Sequence, residues 1–126
     1  MKKIVNTGNA PAPIGPYSQA VIAGNLVFVS GQIAMSPSTG ELVLDDIKTE
    51  TKQVMENIKG ILAEAGVDFG DIVKTSIFLT DMKNFTQVNE VYGIYFEGDF
   101  PARETIQVAG LPKNVNVEIS VIAIKP

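Results

Sequence analysis

The sequence of 126 residues contains no cysteine, no histidine and no tryptophan. Without thiols there is no cysteine nucleophile, no thiolate zinc site and no disulfide, so nothing points to an oxidising compartment. Without imidazole there is no Ser-His-Asp triad, no histidine acid or base and no His-ligated metal. Charge is scarce as well: charged residues make up 19% of the chain against 45% hydrophobic ones. That is lean for a small monomer, which has much surface to cover, and it points to apolar interfaces between copies. The net charge is −4, and the lysines are scattered at Lys48, Lys52, Lys59, Lys74, Lys83 and Lys113. A nucleic-acid backbone calls for a basic stripe, so nucleic acid is not an expected partner. No uncharged apolar run approaches a membrane span, and Lys2 and Lys3 lead into Ile4–Asn9 rather than an apolar signal core. No membrane partner or signal peptide is expected, and the cytoplasm is the default location. The length suits one domain, residues 1–126, with a real core.

What is present reads as alternating strands and helices. Ala10–Pro16 carries three prolines and reads as a rigid extended segment. Gln19–Ala23 and Leu26–Ile33 are apolar runs joined by Gly24-Asn25, a hairpin signal, and Ser36–Gly40 reads as a loop. From Asp45-Asp46 the period changes: Ile47, Thr51, Val54, Met55, Ile58, Ile61, Leu62 and Ala65 form one helical stripe, closed by Gly66. Ile72–Leu79 is β-branched and aromatic, hence a strand. A second helix is predicted over Asn84–Phe96, with Phe85, Val88, Tyr92, Tyr95 and Phe96 as its apolar stripe. Two strands close the chain, giving the order β-β-α-β-α-β-β, an α+β layer of helices over one face of a sheet.

The residue that stands out is Arg103, in the run Phe100–Val108 that otherwise reads as a buried strand. Pro101 opens the strand, and Ile106 and Val108 then alternate with Arg103, Thr105 and Gln107. A guanidinium fork near a core wants an anion. The final strand Val117–Ile124 offers one carboxylate, Glu118, on the face opposite Val117, Ile119, Val121 and Ala123. A hairpin through Ala109–Asn114 would bring the two polar faces together. Residue types alone favour a structural Arg103–Glu118 ion pair; the other reading is a pocket in which Arg103 holds a ligand carboxylate and Glu118 faces a water.

Further polar residues look misplaced for a plain core. Asn89 falls between Phe85 and Tyr92 on the apolar stripe, where a buried amide that satisfies a backbone group is the simpler reading. Tyr17 follows the rigid Gly15-Pro16 pair, which aims its ring either into packing or into a cleft. Ser30-Gly31-Gln32 ends a strand where glycine allows a ligand to approach the backbone, or marks a bulge.

These segments together carry a resemblance. The motifs Ile14–Gln19, Ser30–Gln32, Val73–Thr75, Val88-Asn89, Phe100–Arg103, Leu111–Lys113 and Val117–Ile119 occur in order along the chain. Through them it resembles the RidA (YjgF-type) enamine/imine deaminases. The resemblance implies a chorismate-mutase-like α+β subunit in a cytosolic homotrimer, with a cleft at each subunit interface. It implies hydrolysis of 2-imino or 2-enamino acids to 2-oxo acids and ammonia, without metal or organic cofactor. Arg103 matches the family's carboxylate-binding arginine and Glu118 its acidic residue near the reactive water. Tyr17, Ser30, Gly31 and Asn89 match cleft-lining positions, and Thr105 stands where many members carry cysteine. An endoribonuclease that inhibits translation, a small-carboxylate-binding module without turnover, and a holdase-type chaperone are the competing readings.

Overall fold

The computed structural model describes residues 1–126. Six strands form one sheet: β1 (Lys2–Val5), β2 (Ala20–Ala23), β3 (Leu26–Gln32), β4 (Ile72–Leu79), β5 (Ala102–Gln107) and β6 (Val117–Ile124). Their order across the sheet is β1-β2-β3-β6-β4-β5. Helix α1 (Ile47–Ala65) joins β3 to β4, and α2 (Phe85–Ile94) joins β4 to β5. The predicted α+β architecture therefore stands, with one strand more than expected. β1 is a short edge strand paired antiparallel with β2, and its mostly exposed Lys-Lys-Ile-Val offers almost no alternation to read.

The helices cover one face of the sheet only. Thr75, Ile77 and Leu79 of β4 and Val117, Ile119, Val121 and Ala123 of β6 point to that face and are buried. α1 lays Val54, Met55, Ile58, Ile61 and Leu62 on them, its stripe dictated by the 3.6-residue period. Asp46 caps its start by accepting from the Thr49 amide at 2.8 Å, and this interaction holds the Asp46 carboxyl below its usual range. Gly66 at φ 81° ends it, where Lys125 Nζ donates to the Ala65 carbonyl at 2.7 Å. The opposite face carries no helix and leaves Phe28, Ile106 and Ile124 about two-fifths exposed.

The pairing of the last two strands differs from the expected hairpin. β5 pairs in parallel with β4, while β6 lies on the other side of β4 and pairs antiparallel with both β3 and β4. The helix α2 makes β4 and β5 a parallel crossover unit, which takes the seat a hairpin partner would have filled. β5 is consequently an edge strand and not the buried strand that its sequence suggests.

Candidate functional site

The ladder registers decide where Arg103 and Glu118 point. Thr75 of β4 is opposite Arg103 on one side and Val121 on the other, so Arg103 shares the helix-covered face. Phe78, three residues on and therefore on the other face, is opposite Ile106 and Glu118. Arg103 and Glu118 thus stand on opposite faces of the sheet with β4 between their strands. The predicted Arg103–Glu118 ion pair does not form. The only salt bridges are Lys48–Glu90 at 2.6 Å and Lys74–Glu104 at 2.8 Å. A single pocket containing both residues does not form within one chain either.

Two clefts take its place. The first, about 380 Å³, is lined by Ile14, Tyr17, Ser30, Gly31, Ile33, Pro112 and Glu118. The proline segment is tied down to build its wall. Buried Gln19 donates through Nε2 to the carbonyls of Thr7, Ala10 and Pro11 and accepts from the Thr7 amide at 2.7 Å. Ser30 donates its hydroxyl to the Ser18 carbonyl at 2.6 Å. Tyr17 projects from this strap half-exposed, its hydroxyl accepting from the Ile14 amide at 3.3 Å. The Ser30-Gly31 stretch is a bulge, between Val29 and Gln32, and Gly31 is where the Glu118 side chain comes close to the backbone. A Cβ on Gly31 would stand 2.8 Å from Glu118 Cδ. The Glu118 side chain makes no hydrogen bond within the chain, and burial raises its carboxyl above the ordinary range.

The second cleft, about 450 Å³, is lined by Asn89, Tyr92, Gly93, Phe100, Pro101 and Arg103. Asn89 is half-buried here and bonds to no backbone group, so the buried-amide reading is corrected. The reason lies in α2, which buries only Val88 and Tyr92 and turns Asn89 along the flank of that stripe. The guanidinium of Arg103 likewise has no carboxylate or carbonyl partner; it lies over the rings of Tyr92 and Phe85. Next along β5 on the same face, Thr105 has a buried hydroxyl oxygen without a partner. Sequence reasoning missed Gln19, whose role depends on carbonyls up to twelve residues away, and Pro112, which a turn brings to the Glu118 cleft. No group of three or more acidic side chains is arranged to hold a metal ion.

Fold and clefts together define a small α+β protein with an acidic cleft on one face of its sheet and a cationic, aromatic one on the other. Residues 7–125 match the family model described as Endoribonuclease L-PSP. A RutC family protein of Pyrococcus horikoshii is 52% identical over 125 residues, covering 99% of each chain. The 2-iminobutanoate/2-iminopropanoate deaminase of Rattus norvegicus is 47% identical over 125 residues, 99% of this chain and 91% of that protein. Among solved structures, E. coli TdcF with bound serine superposes with a TM-score of 0.94 at 43% identity, covering 98% of this chain and 99% of the other. The chain belongs to this family, the Rid (YjgF-type) proteins, whose members include imine deaminases. No helix is long and apolar enough to cross a membrane.

Proposed function

We propose that the protein is a 2-iminobutanoate/2-iminopropanoate deaminase, a cytoplasmic hydrolase that needs no cofactor. The observation that carries the reading is the state of the two charged groups. Arg103 keeps its whole donor fork free in a cleft, and Glu118 stands unpaired in another with its carboxyl pushed up by burial. Arg103 grips the substrate carboxylate through paired N–H···O bonds and so fixes where the C=N carbon lies. Glu118 holds a water against that carbon and accepts its proton as the C–O bond forms. Glu118 returns that proton to the nitrogen, and the carbinolamine then collapses: its hydroxyl gives its own proton to the freed carboxylate as the C–N bond breaks, ammonia leaves, and the 2-oxo acid remains. An iminium carbon is already electrophilic, so orientation and a placed water are most of what the reaction asks.

Because the two clefts face away from each other, the reaction needs a second copy. We assign the Arg103 cleft of one subunit and the Glu118 cleft of its neighbour to one site in a homotrimer. The uncovered apolar face with Phe28, Ile106 and Ile124 supports this, as does the lean charge of the chain. Tyr17, Ser30 and Gly31 then line the water side. Asn89 then lines the carboxylate side, while Thr105, next along β5 on the same face, keeps its partnerless hydroxyl buried outside the lining of that cleft. The serine held by E. coli TdcF, itself a small carboxylate, fits an Arg103 anchor and keeps a second reading in play, carboxylate binding without turnover. An endoribonuclease gains no support from a chain with net charge −4 and no histidine.

The test is semicarbazone trapping of 2-aminocrotonate generated in situ by a threonine dehydratase. Catalytic amounts of the protein should suppress trapping, and Arg103→Ala should not. Unchanged trapping by wild type would leave the carboxylate-binding reading in its place.

A further inference from the structure

Arg103 is held in an unusual way for a cation on an edge strand. Its Cζ stands 5.2 Å from the ring centroid of Tyr92 and 5.7 Å from that of Phe85, between two residues of α2. Tyr92 is itself pinned. Its hydroxyl, 2.9 Å from Thr75 Oγ1, forms a hydrogen bond between two buried residues. Thr75 is the direct neighbour of Arg103 in the parallel β4–β5 ladder. The three residues close a triangle: strand to strand through the ladder, strand to helix through the hydroxyls, helix to strand through ring and guanidinium.

A buried Tyr–Thr hydroxyl pair adds little that a Phe–Val pair of the same shape would not give a core, since removing both partners together is nearly neutral. What it adds is a fixed position for the ring. The choice of ring over carboxylate also has a chemical consequence. A carboxylate beside Arg103 would neutralise it and occupy its N–H groups, whereas an aromatic face attracts the cation through its quadrupole and leaves those groups open. We infer that Tyr92, locked by Thr75 and aided by Phe85, is a positioning residue that aims the free donor fork of Arg103 into its cleft. The inference rests on the reading of Arg103 as a carboxylate anchor.

The test uses the full-length protein with three readouts: the Arg103 Hε resonance, the Kd of 2-oxobutanoate by calorimetry, and kcat and KM for imine hydrolysis. Ring current should shift Hε upfield in wild type, and Tyr92→Leu and Phe85→Leu should each release it. Tyr92→Leu should weaken 2-oxobutanoate about tenfold and raise KM in proportion, with kcat changed less. Tyr92→Phe keeps the ring and cuts the tie, as Thr75→Val does from the other side. Each should weaken binding about threefold, and the double variant no further, because both remove one interaction. If Tyr92→Leu fails to fold, Phe85→Leu still decides, since Phe85 is 39% exposed and its truncation leaves the core alone. Unchanged Hε shift and unchanged Kd across the variants that fold would reduce Tyr92 to a core residue and overturn the inference. Wild type that fails to bind 2-oxobutanoate overturns it too. If none of the proteins hydrolyses imine but the Kd pattern holds, the positioning role stands and the deaminase reading falls.

Discussion

A methyl group on Gly31 would meet Glu118 Cδ at 2.8 Å and Cγ at 3.1 Å, and a carboxylate side chain is the kind of neighbour that swings away. Gly31→Ala should therefore fold with wild-type thermal stability while its Glu118 carboxylate is displaced. A shift of that size at a reacting water costs about 100-fold in turnover, which kcat measured beside a melting curve would check. Glu118 also makes a statement about pH. Burial raises its carboxyl pKa in the folded protein above the unfolded value. Below the unfolded pKa both states are protonated and nothing is lost. As pH rises through the window up to the folded pKa, the unfolded chain releases its proton first, and stability falls. Glu118→Gln should thus melt higher than wild type at pH 7, and the gain should vanish below about pH 4. The same substitution should abolish the acid limb of the pH–rate profile, since only the ionised carboxylate accepts the proton of the water. A higher-melting variant whose slow residual turnover has lost the acid limb is the signature of a group kept for chemistry at the expense of stability; a lower-melting one would mean that Glu118 has a structural partner after all.

At the level of elements, most positions were legible in the sequence and most partners were not. The stripe Val54–Leu62, the alternation Val117–Ala123 and the Gly24-Asn25 turn report local periodicity, and each element lies where these predict. Pairing is a long-range property. Nothing in Ala102–Gln107 says that it lies parallel beside β4, and the apolar alternation of Ile106 marks a face left uncovered and not a buried one. The same limit hid Glu50. It lies fully buried in the first turn of α1 without a cation, accepting from the amides of Asn116 and Val117 at 2.7 and 3.2 Å and from Asn116 Nδ2 at 2.7 Å. This carboxylate fixes the turn that delivers Pro112 and then Glu118 to their cleft. Lys113 and Asn114 in that turn have φ of 55° and 58°, a left-handed pair that side-chain-bearing residues adopt only when held. Glu50→Ala should cost about 2–4 kcal/mol, because it leaves buried donors unpaired. Hydrogen exchange should locate the damage at Asn116 and Val117 and not along α1, whereas uniform loss of protection would show that Glu50 only supports the helix.

For the whole molecule, the opposite facing of Arg103 and Glu118 turns oligomerisation into a chemical requirement of the proposed reaction, and this can be tested. Were the reaction carried out within one chain, variants lacking either residue would stay inactive however they were combined. If instead each site takes its arginine from one subunit and its carboxylate from the next, Arg103→Ala and Glu118→Ala carry complementary defects. Unfolded together in equal amounts and refolded, they should assemble at random. In a closed ring of three, every mixed trimer then contains one interface with an intact Arg103 facing an intact Glu118. All-alike trimers contain none, so the mixture should regain about a quarter of wild-type activity. Each variant refolded alone should remain inactive at the same trimer size by sedimentation. Phe28→Glu places a charge on the uncovered face and should give folded monomers without turnover, tying the apolar surface to the same assembly. A refolded mixture without activity, in trimers that mass spectrometry shows to be mixed, would mean that the two clefts do not meet, and the Glu118 side would lose its place in the reaction.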